Sequence, residues 1–327
     1  LKVYVRTPAR LHLGIIDLNG GLGRIFGGIG VAIRSPNVVI EAQTSDKEEF
    51  IGDREDLIRR LTRRFLEAYN LRARVKINVR QLIPSHMGLG SGTQLALAVA
   101  TALARLLNVR KPVRELASIM GRGRISGVGT AVFEHGGFVV EGGLKSENKG
   151  CVKSAPTDEG FPPLIFREAF PEDWFFVVAI PNLKSRFTDE EEAPIFTRLP
   201  PMPDREVGRI CRLIVMKLLP SLIERDIKGF GEALTEIQRI TGSHFAAVQG
   251  GPYSDPIIEE CIDHMLSRGA YGAGQSSWGP TFYGLAKGMR QAEALRSSLQ
   301  SLLDERVGGR VFHVRADNRG AYVKLMP

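Results

Sequence analysis

Cysteine is scarce in this 327-residue chain. Cys151, Cys211 and Cys261 stand far apart, with no CxxC spacing and no Cys/His pairing, so neither a disulfide framework nor a zinc site is expected, and a reducing cytoplasm suits them. Lysine is scarce as well. The sequence holds 12 Lys against 32 Arg within a formal net charge of +8, so most of the basic excess is guanidinium, the group that grips phosphate or carboxylate through two parallel hydrogen bonds. Aromatic residues make up only 7%, and the basic residues are dispersed rather than gathered into a tail. Both facts argue against a nucleic-acid surface and leave a polyanionic small molecule as the better partner. Long apolar runs are missing too. The least charged helical stretch, Gln94 to Leu107, is too short to span a bilayer, and no secretory pattern precedes it, so a soluble protein is expected. There is no internal repeat, heptad pattern or low-complexity tract.

A hydrophobic content of 43% over this length provides for two domains of ordinary size. The polar, proline-bearing stretch Cys151 to Pro163 marks the expected boundary, dividing the chain into residues 1–160 and 161–327.

Glycine is the residue in surplus, and it gathers in loops. In Pro84-Ser85-His86-Met87-Gly88-Leu89-Gly90-Ser91-Gly92-Thr93 it joins a period-two strand (Val75, Ile77, Val79) to an Ala/Leu-rich helix beginning near Gln94. The loop therefore sits at a helix N-terminus, where the first backbone N–H groups lack intrahelical partners and carry partial positive charge. Gly88, Gly90 and Gly92 remove the Cβ atoms that would hold an anion off, while Ser91 and Thr93 offer hydroxyls to phosphate oxygens or magnesium. An ordinary glycine turn with an N-cap serine is the competing reading.

A second cluster runs from Gly14 to Gly30, with Arg10, His12, Asp17 and Arg24 as its polar groups and Asn19-Gly20 as a hairpin signal. We expect a hairpin whose tip carries function. A third loop spans Gly121 to Thr130 and contains Ser126. Beyond it, Ala131–Phe133 and Gly137–Val140 read as strands around a Glu134-His135-Gly136 corner, whose two titratable side chains would point to opposite faces. A fourth loop is Gly272-Ala273-Gly274-Gln275-Ser276-Ser277-Trp278-Gly279-Pro280. Thr188-Asp189-Glu190-Glu191 has the form of a capping box, and helices are expected near 206–219, 221–240, 255–267 and 290–303.

Three of these loops in this order, Pro8-Ala9-Arg10 through Asp17-Leu18-Asn19-Gly20-Gly21, then Pro84 to Gly92, then Gly272 to Thr281, resemble the GHMP kinase superfamily of small-molecule kinases across nearly the whole chain. The resemblance implies an α+β, GHMP-kinase-like two-domain fold: an N-terminal α/β domain with a left-handed βαβ unit, a ferredoxin-like C-terminal domain, and the ligand in the cleft between them. It departs from the kinase pattern at the chemistry. Kinases of the superfamily commonly carry a catalytic Asp in a Ser-Gly-x-Asp element, where this chain has Ser126-Gly127-Val128-Gly129. Their magnesium-holding Glu falls by spacing on Ser118, with Glu115 one turn away.

Ala9 to Gly14, Ser126 to Glu134, Gly136-Gly137-Phe138 and Gln249-Gly250-Gly251 are similar instead to a non-kinase branch of the superfamily from archaeal methanopterin biosynthesis. That branch joins 4-aminobenzoate to phosphoribosyl pyrophosphate, forming a carbon–carbon bond at ribose C1 with loss of pyrophosphate and carbon dioxide. The resemblance implies that Gly88, Leu89, Gly90, Ser91, Gly92 and Thr93 hold the pyrophosphate, and that Arg10 or Arg24 takes a phosphate or the benzoate. Asp17 would face the developing positive ribose or the amine, with His12 in support. Ser126, Gly274, Gln275, Ser276 and Ser277 would complete the substrate site, and Ser91, Thr93 and Glu134 would hold Mg2+. An ATP-dependent kinase using Glu134 or Asp17 as its base is the alternative within the same fold. Self-association into a homodimer is left open.

Overall fold

The structure is a computed structural model describing residues 1–146, 160–185 and 194–326. Cys151 and the capping box at 188–191 lie outside the described residues.

Two long strands organise the first layer. β1 (Lys2–Asp17) and β2 (Arg24–Thr44) form the expected antiparallel hairpin, joined through residues 18–23 with Asn19-Gly20 in the connection and the turn closed by the Gly23 N–H on the Gly20 carbonyl. β3 (Glu49–Ile51) and β4 (Val75–Gln81) are parallel and joined through α1 (Glu55–Ala68), forming a βαβ unit at one edge. On α1, Ile58, Leu61 and Phe65 face the core, while the Arg59, Arg60, Arg63 and Arg64 positions are solvated.

β4 leads through the 84–90 loop into α2 (Ser91–Leu106), whose Ala/Leu surface is buried along most of its length. After α3 (Val113–Ile119) the sequence reading fails. Ala131–Phe133 was expected as strand, but Val128–His135 is a helix, α4. Ser126 Oγ accepts the Val128 N–H at its start, Gly136 ends it at φ 60°, and Val128, Ala131 and Val132 pack on Ala32 and Val139. Tertiary packing overrides the β-branched propensity here. β5 (Phe138–Glu141) and β6 (Leu144–Lys145) then pair with β2.

β7 (Leu164–Glu168) pairs with β5, and the last strand, β12 (Tyr322–Met326), returns to pair with β1. Both lie beyond the expected 160/161 boundary yet belong to the first sheet. The second sheet draws on β8 (Trp174–Pro181), β9 (Gly272–Gln275), β10 (Phe282–Lys287) and β11 (Gly309–Arg315). Its antiparallel order, β11-β8-β10-β9, is that of a ferredoxin-like βαββαβ unit.

Between β8 and β9 run α5 (Asp204–Leu213), a π-helical turn at Ile214–Leu218, α6 (Leu219–Ile223), α7 (Ile227–Gln249) and α8 (Pro256–Ser267); α9 (Gly288–Arg306) joins β10 to β11. Helices α8 and α9 cover one face through Ile258, Met265, Leu295 and Leu299. α7 bridges the two sheets: Phe230 meets the rings of Phe138 of β5, Phe170 and Trp174 of β8, and Gln238 Nε2 donates to the Leu13 carbonyl of β1. His244 therefore sits on a helix, where a loop was expected.

Candidate active site

β1, the 84–93 loop and the 272–280 loop meet at one knot of hydrogen bonds. The Arg10 N–H donates to the Leu89 carbonyl, and both Arg10 Nη1 (2.9 Å) and Ser276 Oγ (2.7 Å) donate to the Gly88 carbonyl. Ser276 Oγ in turn accepts the His12 N–H at 2.9 Å. Glycine is required here by space as well as by φ. Gly88 has φ 75°, and a Cβ on it would run into the Ser276 carbonyl oxygen.

Around this knot lies a cavity of about 740 Å³, within the range that encloses a metabolite. One part is the cradle: Gly88, Gly90, Ser91, Gly92 and Thr93 line it at the start of α2. The N-cap of α2 is Gly90 at φ 75°, and no side chain caps the helix, so its first amides are left for a ligand. A second part is cationic, formed by Arg10, Arg122 and Arg124. A third is aromatic. Phe196, Phe245 and Trp278 stack edge to face with ring centroids 4.6–6.0 Å apart, and all three line the cavity.

His12 also lines the cavity and is buried. Burial, reinforced by the charge of Arg10, drops its pKa to about 3, so it acts as a neutral imidazole. Its Nε2 is 3.3 Å from Ser126 Oγ.

The other expected site residues separate into groups. Gln275 and Ser277 line the cavity; the Gln275 side chain accepts the Ser254 N–H and donates to the Ser277 carbonyl. Ser276 ties the loops together and Gly274 packs against Gln238, while Leu89 is buried beneath the cradle. Asp17 stays at the hairpin tip, where its Oδ1 accepts the N–H groups of Asn19 (2.6 Å) and Gly20 (2.8 Å), and it is not among the lining residues. Arg24 likewise spends its guanidinium on the carbonyls of Gly142 and Gly143, both at 2.7 Å. Glu134 is exposed at the end of α4, 3.5 Å from His135 Nε2, away from Ser91 and Thr93.

Sequence reasoning missed Arg122, Arg124 and the aromatic wall. The arginines were legible, since they alternate with Gly121 and Gly123 in a loop already marked by its glycines. Of the aromatics, Trp278 stands in a loop marked by its glycines, while Phe196 and Phe245 carried no local signal. The three rings come from separate segments and converge only through the fold.

Gly129, at the position where the family resemblance leads one to expect an Asp, lies on α4 directly against Thr93: a Cβ there would sit 3.0 Å from Thr93 Cγ2 and 3.6 Å from Thr93 Oγ1. The position still faces the cradle, but without a carboxylate. No carboxylate lines the cavity among the described residues.

The fold and this cradle define a class. Residues 56–137 match the GHMP kinase N-terminal domain and residues 218–305 the GHMP kinase C-terminal domain. A homoserine kinase structure from Cytophaga hutchinsonii superposes with a TM-score of 0.72 at 18% identity, covering 99% of this chain and 97% of that one. Two curated relatives lie much nearer in sequence, both named beta-ribofuranosylphenol 5'-phosphate synthase. The protein from Methanothermobacter thermautotrophicus is 37% identical, covering 99% of each chain, and the one from Archaeoglobus fulgidus is 37% identical, covering 98% of this chain and 99% of its own. The chain belongs to the GHMP kinase family and, within it, to the branch formed with these archaeal synthases.

Proposed function

We propose that the protein is a decarboxylating pentosyltransferase: it joins a benzoate bearing a para electron donor to phosphoribosyl pyrophosphate, giving a C-riboside 5′-phosphate, pyrophosphate and carbon dioxide. The observation that carries this reading is the meeting, in one cavity, of an uncapped helix N-terminus, three arginines and a three-ring aromatic wall. The donor diphosphate suits the cradle amides, the 5′-phosphate suits Arg122 and Arg124, and the aryl ring suits Phe196, Phe245 and Trp278.

The chemistry accounts for Gly129. The ring carbon bearing the carboxylate is made electron-rich by its para substituent and attacks ribose C1 as the C1–O bond to pyrophosphate breaks. The C–C bond to the carboxylate then breaks, and its electron pair restores the aromatic ring as carbon dioxide departs. No hydroxyl is deprotonated, so the kinase Asp has no work to do. What the chain must supply is positioning, exclusion of water and stabilisation of the leaving anion, which fixed amide dipoles do well in an enclosed site. A neutral His12 adds no positive charge beside an oxocarbenium-like ribose.

Magnesium fits this site as a companion of the diphosphate. Ser91 and Thr93 offer hard oxygen donors that open into the cavity, and a cation bound by them and the diphosphate oxygens would neutralise charge on the leaving group. Glu134 is placed too far round α4 to join that set.

The relatives' name makes the product a phenol, while the sequence reading takes 4-aminobenzoate; a para hydroxyl and a para amino group activate the same ring carbon. Both acids, labelled in the carboxyl group, should be incubated with the protein and phosphoribosyl pyrophosphate. Labelled carbon dioxide is expected only when both substrates are present, with the faster acid identifying the acceptor. Turnover of ATP with small alcohols and no decarboxylation would overturn the reading in favour of a kinase.

A further inference from the structure

Behind the cavity, on the far side of Ser126 from solvent, lies a carboxylate that the reaction does not use. Glu141 is buried, 1% exposed, at the end of β5. Its Oε1 accepts the Gly127 N–H at 3.1 Å and its Oε2 the Gly143 N–H at 2.7 Å, and the Ser126 hydroxyl, next to Gly127 in the chain, is among the groups that pull the pKa of this carboxylate down. Ser126 Oγ also accepts the Val128 N–H and lies 3.3 Å from His12 Nε2. Glu141 and His12 both approach Gly28 beside Val128: a Cβ there would sit 2.9 Å from Val128 Cγ2, 3.1 Å from Glu141 Oε1 and 3.2 Å from His12 Nε2. Glycine at 28 is what leaves room for the network. The charged and titratable groups facing Glu141 are Arg24 of β2, across the Gly142 and Gly143 carbonyls, and His12 of β1.

We propose that Glu141 is a positioning residue that sets the tautomer of His12 through Ser126. An ionised carboxylate can only accept, so it takes the Ser126 proton as a hydrogen bond. Ser126 Oγ is then left as an acceptor, and His12 must hold its proton on Nε2 and present an unprotonated Nδ1. When Glu141 binds a proton, the order reverses. Its O–H donates to Ser126 Oγ, the Ser126 hydroxyl donates to His12 Nε2, and the imidazole proton moves to Nδ1. One proton enters at Glu141 and the donors turn round along the line; His12 stays neutral throughout.

The reversal falls in an accessible range. Burial pushes the Glu141 pKa up to about 7 against the lowering pull of the Gly143, Gly127 and Ser126 hydrogen bonds and of Arg24, whereas His12 itself protonates only near 3. The inference rests on the cavity being the reaction site, but its test needs no substrate.

Nitrogen NMR of protein labelled with 15N-histidine distinguishes the two neutral tautomers, and the His12 signals are assigned by their loss in His12→Asn. From pH 8.5 down to 5.5 the His12 signals should pass from the Nε2–H to the Nδ1–H pattern with a midpoint near 7. In Ser126→Ala, which leaves both backbone bonds of Glu141 in place, and in Glu141→Gln the passage should be absent. A tautomer that is independent of pH in the unsubstituted protein, or the same passage in Ser126→Ala, overturns the proposal. Should Glu141→Gln fail to fold, Ser126→Ala alone decides. In turnover with the proposed substrates each variant should lower kcat ~tenfold, and the double variant no further, because the two side chains act as one unit. Losses that add in full would leave Glu141 only its structural bonds to Gly127 and Gly143. A chain that fails to release carbon dioxide but shows the tautomer passage separates the failure of the proposed function from the failure of this inference.

Discussion

The two loops that supply anion-binding groups to the cavity, residues 84–93 and 121–126, look alike in sequence and are built on opposite rules. In the first, Gly88 brings backbone to backbone by abutting the Ser276 and Gly279 carbonyls, Gly90 makes room for the Arg10 side chain, and what faces the ligand is a row of amides. In the second, glycines lean on side chains, Gly121 on the Arg64 guanidinium and Gly123 on the Phe161 ring, and what faces the ligand is Arg122 and Arg124. A backbone-built site is held by the whole fold and has no small adjustments available to it. A side-chain-built site can be weakened in steps. Damage to the first should therefore be abrupt, and damage to the second graded.

Gly88→Ala should have the largest effect. The added methyl meets a carbonyl oxygen of another loop and sits at φ 75°, where a side chain alone costs ~1–2 kcal/mol. We expect kcat/KM for carbon dioxide release to fall ~hundredfold or more, equivalent to at least ~2.7 kcal/mol. Pyrophosphate binding by calorimetry should be lost in parallel. A variant with wild-type pyrophosphate affinity would show that the cradle is not the diphosphate site.

Arg122→Ala comes next. One charge-assisted contact of ~1.5–3 kcal/mol should raise the KM for phosphoribosyl pyrophosphate ~tenfold or more, leaving the KM for the aryl acid unchanged. Arg124→Ala, at an exposed position, should do less than Arg122→Ala, at a half-buried one. Equal changes in both KM values would mean that this loop does not divide the labour as its geometry indicates. The aromatic wall should give the converse result. Phe245→Leu removes a ring that touches Phe196 and Trp278, and we expect the aryl KM to rise ~fivefold with the KM for phosphoribosyl pyrophosphate constant, since an aromatic pair is worth ~0.5–1.5 kcal/mol.

The same contrast explains what was legible in the sequence. The cradle could be read because strand, glycine loop and helix are contiguous, although α2 begins at Ser91, three residues before the expected start near Gln94. The hairpin around Asn19-Gly20 and the ferredoxin-like half were likewise legible, although the turn itself closes one step further on, between Gly20 and Gly23. The glycines at 28 and 30 were not turns. Both lie inside β2, and they are glycine because Val128 of α4 packs on the space where their Cβ atoms would be. Glycine reports either positive φ or close approach, and only the fold says which. Asp17 and Arg24 failed as site residues for a related reason. They are charged residues near functional glycines, but the hydrogen bonds they make go to backbone amides and carbonyls of the loops they hold. A sequence shows that a charge is present and not whether the backbone has already claimed it.

Gly121→Ala, the smallest effect expected, tests the comparison most closely, because it places the same methyl at nearly the same backbone angle as Gly88→Ala. Gly121 has φ 71° against 75° for Gly88, so the conformational strain of the two substitutions is alike. Only the neighbour differs. At 121 the new Cβ would sit 3.1 Å from Arg64 Nη2, the end of a flexible side chain that can swing outward, whereas at 88 it meets a carbonyl that cannot. Strain of ~1–2 kcal/mol should then appear as a loss of thermal stability of a few degrees, with kcat/KM within ~threefold of the unsubstituted protein. Thermal melts and carbon dioxide release on both variants read the two quantities side by side. If Gly121→Ala were as inactive as Gly88→Ala, positive φ alone would explain both, and the distinction between a backbone-built and a side-chain-built anion site would fall.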